Sequence, residues 1–251
     1  MNKRPSNGAL VVLAVALTIL STLSIVAAQE PAAIPVESES HHHVVLENFY
    51  VRVLFVEIPA HESTLLHHHD LPYVSVPPGG ADAVTVPAGA QQGTAPFRVG
   101  YSPGGFSHAV SNSSDRTLRN VAIELVRPQG KVQNRCEVVV RGQPSLGICE
   151  PMNLDALRFY KLPAFETDEI LVEQWSVRKS LTSHPMKFPR DMLFAGLTDV
   201  TISAGRGIDS ANAPHGVLWV PARSKIILKT ASEKNGHFYS ITFKDSRAGK
   251  H

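Results

Sequence analysis

The chain has 251 residues, with 24 basic and 22 acidic side chains, a formal net charge of +2 and 12 histidines. Its Lys and Arg are scattered rather than gathered into a stripe, which argues against phosphate-backbone binding and leaves nucleic acid out as a partner. The length suits one large or two small all-β domains, and either can bury an adequate core.

Residues 1–28 read as a secretory signal: Lys3 and Arg4 precede an uncharged apolar run, and Val26 and Ala28 satisfy the small-residue rule for cleavage after Ala28. The rival reading keeps this run as an uncleaved anchor, since about 20 apolar residues span a bilayer. Both readings put the folded part outside the cytoplasm, periplasmic or secreted, with no stable membrane insertion once the signal is cut. Removing the segment takes two basic and no acidic side chains, so the mature charge lies near zero. Residues 29–42 are rich in Pro, Ala and Glu without periodicity and read as a flexible leader. The run His41-His42-His43 adjoins it and lacks a turn motif, so it reads as solvated or at most as an adventitious metal binder.

Short β patterns follow. Residues 51–58, 73–76, 83–86 and 120–126 are β-branched or aromatic runs of strand length, separated by Pro, Gly, Asn or Asp clusters. Between the first two lies His67-His68-His69. Alternation along a strand sends His67 and His69 to one face and His68 to the other. Pro103, Gly104 and Gly105 predict a tight turn that brings in His108 from a distant strand, and three inward imidazoles are the usual minimum for a transition-metal site with open positions. Asn112 is expected to fix that turn by hydrogen bonds. The stretch Gly100-Tyr101-Ser102-Pro103-Gly104 also satisfies G-x-S-x-G, but Pro103 has no N–H for an oxyanion hole, so the hydrolase reading fails.

Residues 127–154 are irregular, and the domain boundary is placed there, with a linker at 131–155. Cys136 and Cys149 fall inside it. In an exported chain such a pair normally closes, and the chain-entropy model gives about 3 kcal/mol for a loop of this size. The second half repeats the first weakly: Phe55, His67, Tyr73, Val84, Tyr101 and Pro103 run parallel to Trp175, His184, Met192, Val200, Trp219 and Pro221.

The pattern H-x-H at His67 and His69, followed by P-x-G-x-x-H-x-x-x-N at Pro103, Gly105, His108 and Asn112, resembles the two motifs of the cupin superfamily. The resemblance implies an all-β fold of the cupin type, a jelly-roll or double-stranded β-helix barrel, here as two tandem barrels: a metal-capable one over residues 43–130 and a degenerate one over 156–246, ahead of a tail at 247–251. The glutamate that cupins place four or five residues after the second histidine is absent, because Tyr73 and Val74 stand there. A phenol ionises near pH 10, so Tyr73 is assigned an orienting or proton-donating role rather than that of a ligand. The second copy reads His184-Pro185-Met186 at the H-x-H position and Ile226 in place of His108, so it is expected to bear no metal and to serve as scaffold or partner surface.

The resemblance thus implies a divalent transition metal held by His67, His69 and His108, with Fe, Cu, Mn, Ni and Zn all open. Three neutral ligands leave the charge of the ion uncompensated, which favours a small anionic ligand. A metal-dependent enzyme, oxygenase-like or isomerase-like, is the first reading. A non-catalytic metal or ligand-binding module and a structural cupin with no occupied site are the alternatives. Pairing of barrels into a homodimer is an expectation from the family alone.

Overall fold

The computed structural model describes residues 32–77, 98–147, 149, 153, 156–204, 208–209, 214–230 and 233–244. The expected signal segment, the strand expected at 83–86 and the tail at 247–251 lie outside these residues. The first half contributes β1 (Ile34–Pro35), β2 (His42–Glu47), β3 (Val51–Ile58), β4 (His67–His69), β5 (Tyr73–Val76), β6 (Gly100–Ser102), β7 (Phe106–His108) and β8 (Leu118–Leu125). The second contributes β9 (Gln133–Asn134), β10 (Phe159–Glu166), β11 (Ile170–Val177), β12 (Met186–Lys187), β13 (Met192–Thr198), β14 (Val200–Ala204), β15 (Ile208–Asp209), β16 (Val217–Val220), β17 (Lys225–Thr230) and β18 (Gly236–Phe243). The all-β class expected from the short strand runs is what the chain adopts. Among the described residues no helix is long and apolar enough to cross a membrane.

Each half pairs a large sheet with a small one. The first half has the orders β2-β3-β8-β5-β6 and β1-β4-β7, and the second has β16-β13-β18-β11-β10-β9 and β12-β17-β14-β15. Strand alternation divides the apolar residues of each large sheet between two cores. In the first half Leu54, Val56, Ile58, Leu118 and Ala122 point into the barrel. Their neighbours Val53, Phe55, Val121 and Ile123 point out and pack with Phe165, Val172, Leu193, Tyr239 and Ile241 of the second half. The outer faces of the two large sheets are therefore one shared core. The second barrel has its own interior around Trp175, Phe194, Ile202, Ile226 and Phe238.

The leader expectation gives way over residues 34–42. Val36 is buried among Leu54, Val56 and Ile58, and β1 runs parallel to β4 with Ile34 opposite His67. Buried Val36, the pairing of β1 with β4 and the hydrogen bonds of Glu39 dock this segment on the barrel. Cys136 and Cys149 form a disulfide with Cα atoms 4.9 Å apart. The Asn134 amide organises the loop it closes, donating to the Val140 and Gln143 carbonyls while its oxygen accepts from the Val139 and Val140 N–H groups.

The repeat is more regular in backbone hydrogen bonds than in side chains. Thr64 N–H donates to the Val110 carbonyl and Ser183 N–H to that of Leu228, while Asn112 N–H donates to Glu62 and Thr230 N–H to Leu181. Gly105 N–H donates to the His69 carbonyl, as Arg223 N–H does to Phe188. His67 lies opposite His108, and Met186 opposite Ile226. The counterparts of His67, His69 and His108 are thus Met186, Phe188 and Ile226. Ile226 stands where the Pro221 register puts it, but the H-x-H counterpart falls two residues beyond His184-Pro185-Met186, and His184 is exposed. The lone histidine does not mark the register of the repeat; the ladder follows the turn.

Candidate metal centre

Two neighbouring strands bring the motif histidines together. β4 and β7 are antiparallel, so His67 faces His108 directly, with ring centroids 4.5 Å apart. His69 stacks on His108 at 5.3 Å with an interplanar angle of 11°. Gly104 and Gly105, both at positive φ, make the turn that returns the chain to His108; a Cβ at Gly104 would collide with the Leu71 carbonyl. Asn112 is buried and donates from its amide to the carbonyls of Ile58, Pro59 and Arg116. His68, on the opposite face, bonds Ser107 and Asp70 instead.

A fourth imidazole enters from β2. His42 is buried, its ring lies 4.6 Å from that of His67, and His42, His67 and His69 offer ligand atoms that all lie within 4.8 Å of one another. His108 stands beside this group, its ring 4.5 Å from that of His67 and 5.3 Å from that of His69. The solvated reading of the His41 to His43 run is therefore corrected for His42. Its signal was present: Glu39 precedes it by three residues, and alternation in a half-buried strand points one imidazole of the run inward.

The hydrogen bonds fix which nitrogen each ring presents. His67 Nδ1 lies 2.8 Å from the Leu65 carbonyl, which only accepts, so Nδ1 carries the proton. His42 Nδ1 bonds Glu39 Oε2 at 2.6 Å, and His69 Nδ1 bonds Glu124 Oε1 at 3.1 Å. Both carboxylates are ionised acceptors, so Nδ1 carries a proton in these rings too and Nε2 is the nitrogen left to face an ion. His67 Nε2 is buried without a partner, as is His108 Nδ1. An unsatisfied buried polar atom costs about 1–3 kcal/mol, and metal-ligating histidines characteristically have the far nitrogen held by a carboxylate or carbonyl. An all-imidazole set of this kind fits a divalent transition metal.

Electrostatics favour the neutral form of His42, His67 and His108. Burial pushes the His42 pKa down to about 4 against the upward pull of Glu39, and burial with the neighbouring imidazoles lowers His108 to about 4. His67 is lowered as well, chiefly by burial. Burial acts to raise Glu39, but hydrogen bonds from the side chains of His41 and His42 and the N–H groups of His41 and Leu65 outweigh it and hold the carboxyl at about 2. Glu124 is likewise lowered against burial, by His69 and by Arg52, whose guanidinium bonds Glu124 Oε2 at 2.6 Å. Tyr73 stacks on His69 at 4.4 Å, and burial raises its pKa, so the phenol stays protonated. Phe106, partly exposed, stacks on His108 at 5.1 Å and forms the outer wall.

No protein-family model and no curated protein sequence matches the chain. Solved structures do. AerE from Microcystis aeruginosa is 8% identical, with a TM-score of 0.52 covering 81% of this chain and 97% of that one. Salicylate 1,2-dioxygenase from Pseudaminobacter salicylatoxidans is 10% identical, with a TM-score of 0.50 covering 81% of this chain and 76% of its own. At these identities the likeness is one of fold.

Proposed function

We propose, starting from a chain that has the cupin fold, that its N-terminal barrel is a metal centre in which His42, His67 and His69 hold one divalent transition ion and His108 closes the flank. The unpartnered Nε2 of His67, set between two imidazoles whose Nδ1 protons are held by Glu39 and Glu124, carries this reading. His42 takes the role that the missing glutamate would otherwise fill. Imidazole ligands would leave the charge of a bound ion uncompensated, so a small anionic substrate is favoured.

The enzyme reading is an oxygenase or related activity on such a substrate. A divalent ion in this set supplies a Lewis acid and, when redox-active, the means of using O₂. Tyr73 supplies a protonated phenol beside His69 that can orient the substrate or donate a proton to it. Phe106 shields the rings from water at the mouth. A non-catalytic metal-binding module is the second reading, and the burial of His67 at 0% and His69 at 2% exposure favours it, because neither ring is open to a ligand from solvent.

Metal analysis of the purified chain and its single alanine variants at His42, His67, His69 and His108 tests the centre. Stoichiometric metal in the wild type and its loss in the first three variants is expected; unchanged content in all four sinks the assignment. O₂ consumption with small carboxylates, salicylate among them, then separates enzyme from binding module. We also propose export, on the strength of the N-terminal apolar run, and mass spectrometry of the mature chain should find it starting at Gln29.

A further inference from the structure

The second barrel has lost the imidazoles but not the opening. The positions equivalent to His42 and Leu54 are Lys161 and Glu173, as the registers of β2 with β3 and β10 with β11 show: His42 lies opposite Val56 as Lys161 lies opposite Trp175. A cavity at this mouth is walled by Leu171, Phe188 and Met192, with Lys161, Glu173 and Arg190 around it. Lys161 Nζ lies 2.8 Å from Glu173 Oε1 and 5.4 Å above the buried ring of Trp175. Glu173 is nearly buried, whereas Lys161 is 44% exposed along its side chain.

Filling a barrel for stability alone calls for apolar side chains, as at Leu54. An ion pair with one partner half exposed adds little over such a filling, so stability alone does not account for it at the mouth. An apolar wall that includes the Phe188 ring, itself packed edge-on against Trp175, and a few convergent charges are the makings of a small-molecule pocket. Two cations face one carboxylate, which leaves net positive charge at the rim. We infer that the mouth of the C-terminal barrel is a second, metal-free binding pocket for a small carboxylate with a planar apolar body. The carboxylate of the ligand meets Lys161 and Arg190 at the rim, and its body lies along Phe188, Met192 and Leu171.

The test uses phenylacetate and its neutral isostere phenylacetamide on the full mature chain carrying Trp219→Phe, so that Trp175 is the remaining tryptophan reporter. Phenylacetate is expected to shift Trp175 emission saturably, and the amide to bind about tenfold more weakly for want of a charge-assisted bond. Lys161→Met should weaken phenylacetate binding by a similar factor. Because that variant strands Glu173, the pair Lys161→Met/Glu173→Leu, which installs the leucine of the first barrel, is measured beside it with thermal unfolding as the check on folding. The response must persist in His67→Ala/His69→Ala. No saturable response, equal affinity for both probes, undiminished affinity in the folded double variant, or loss of response in the histidine variant overturns the inference.

Discussion

His42 Nδ1 donates a 2.6 Å hydrogen bond to Glu39 Oε2, and neither residue belongs to the motif that contains His67 and His69. Glu39 also accepts from the N–H groups of His41 and Leu65, so it ties the incoming N-terminal segment to the strand entering β4. Glu39→Gln keeps the volume but removes the charge that fixes the His42 tautomer. Loss of such a supporting carboxylate typically costs 10 to 100-fold in metal affinity, so a drop of about that size is expected in chelator competition. His42→Ala should cost more, and an unchanged affinity in both variants would remove His42 from the centre.

The same groups set a pH dependence in the metal-free protein. His42 and His108 have folded pKa values of about 4 against an ordinary 6.5, so below 6.5 the unfolded chain binds protons that the folded one does not. Their contribution is fully present above about 6.5 and falls as pH drops toward 4. Glu39, at about 2 against 4.5, acts in the same direction over the lower window. Thermal midpoints should therefore decline continuously from pH 7 to pH 3, more steeply in the wild type than in His42→Ala/His108→Ala. A flat profile between pH 7 and 5 contradicts the burial of neutral rings.

Much of this was legible in the residues. Alternation placed His67 and His69 on one face and His68 on the other, and the turn at Pro103 to Gly105 returned His108 opposite His67, because β geometry has a period of two and glycine marks positive φ. For His42 the trace was faint, one inward position three residues after Glu39 in a short, proline-flanked, polar segment, and its burial comes from the pairing of β2 with β3 and the docking of Val36. Glu124 lay in a run of apolar residues, where the alternation of Leu118, Ala122 and Glu124 marks the inward face, but its partner Arg52 is 72 residues away in the chain. Pair contacts of that span leave no local periodicity.

Arg52 and Glu124 test the cost of that pairing. Glu124 is fully buried, and its oxygens divide between Arg52 and His69. Arg52→Leu strands the carboxylate, with an expected loss of about 3–5 kcal/mol in urea unfolding. The second barrel shows an uncharged alternative, because Leu171 and Thr242 occupy the corresponding places: Arg52 lies opposite Glu124 as Leu171 lies opposite Thr242. Arg52→Leu/Glu124→Thr should therefore recover most of the stability while weakening metal retention, since His69 loses its Nδ1 partner. If the double variant is as unstable as the single one, the stranded charge is not the cause.

The shared core between the large sheets makes the halves depend on each other. Phe165 is fully buried and belongs to the second half, yet it packs in the cluster that includes Val53, Val121 and Ile123 of the first. Phe165→Ala removes a large side chain from that core at a cost of about 3–5 kcal/mol. Were the barrels independent, this loss would unfold only the second and leave the metal in the first. With one continuous core the unfolding transition should stay single, with tryptophan emission and metal release moving together to lower urea. Two separated transitions, with metal release unmoved, would show that the sheets merely touch.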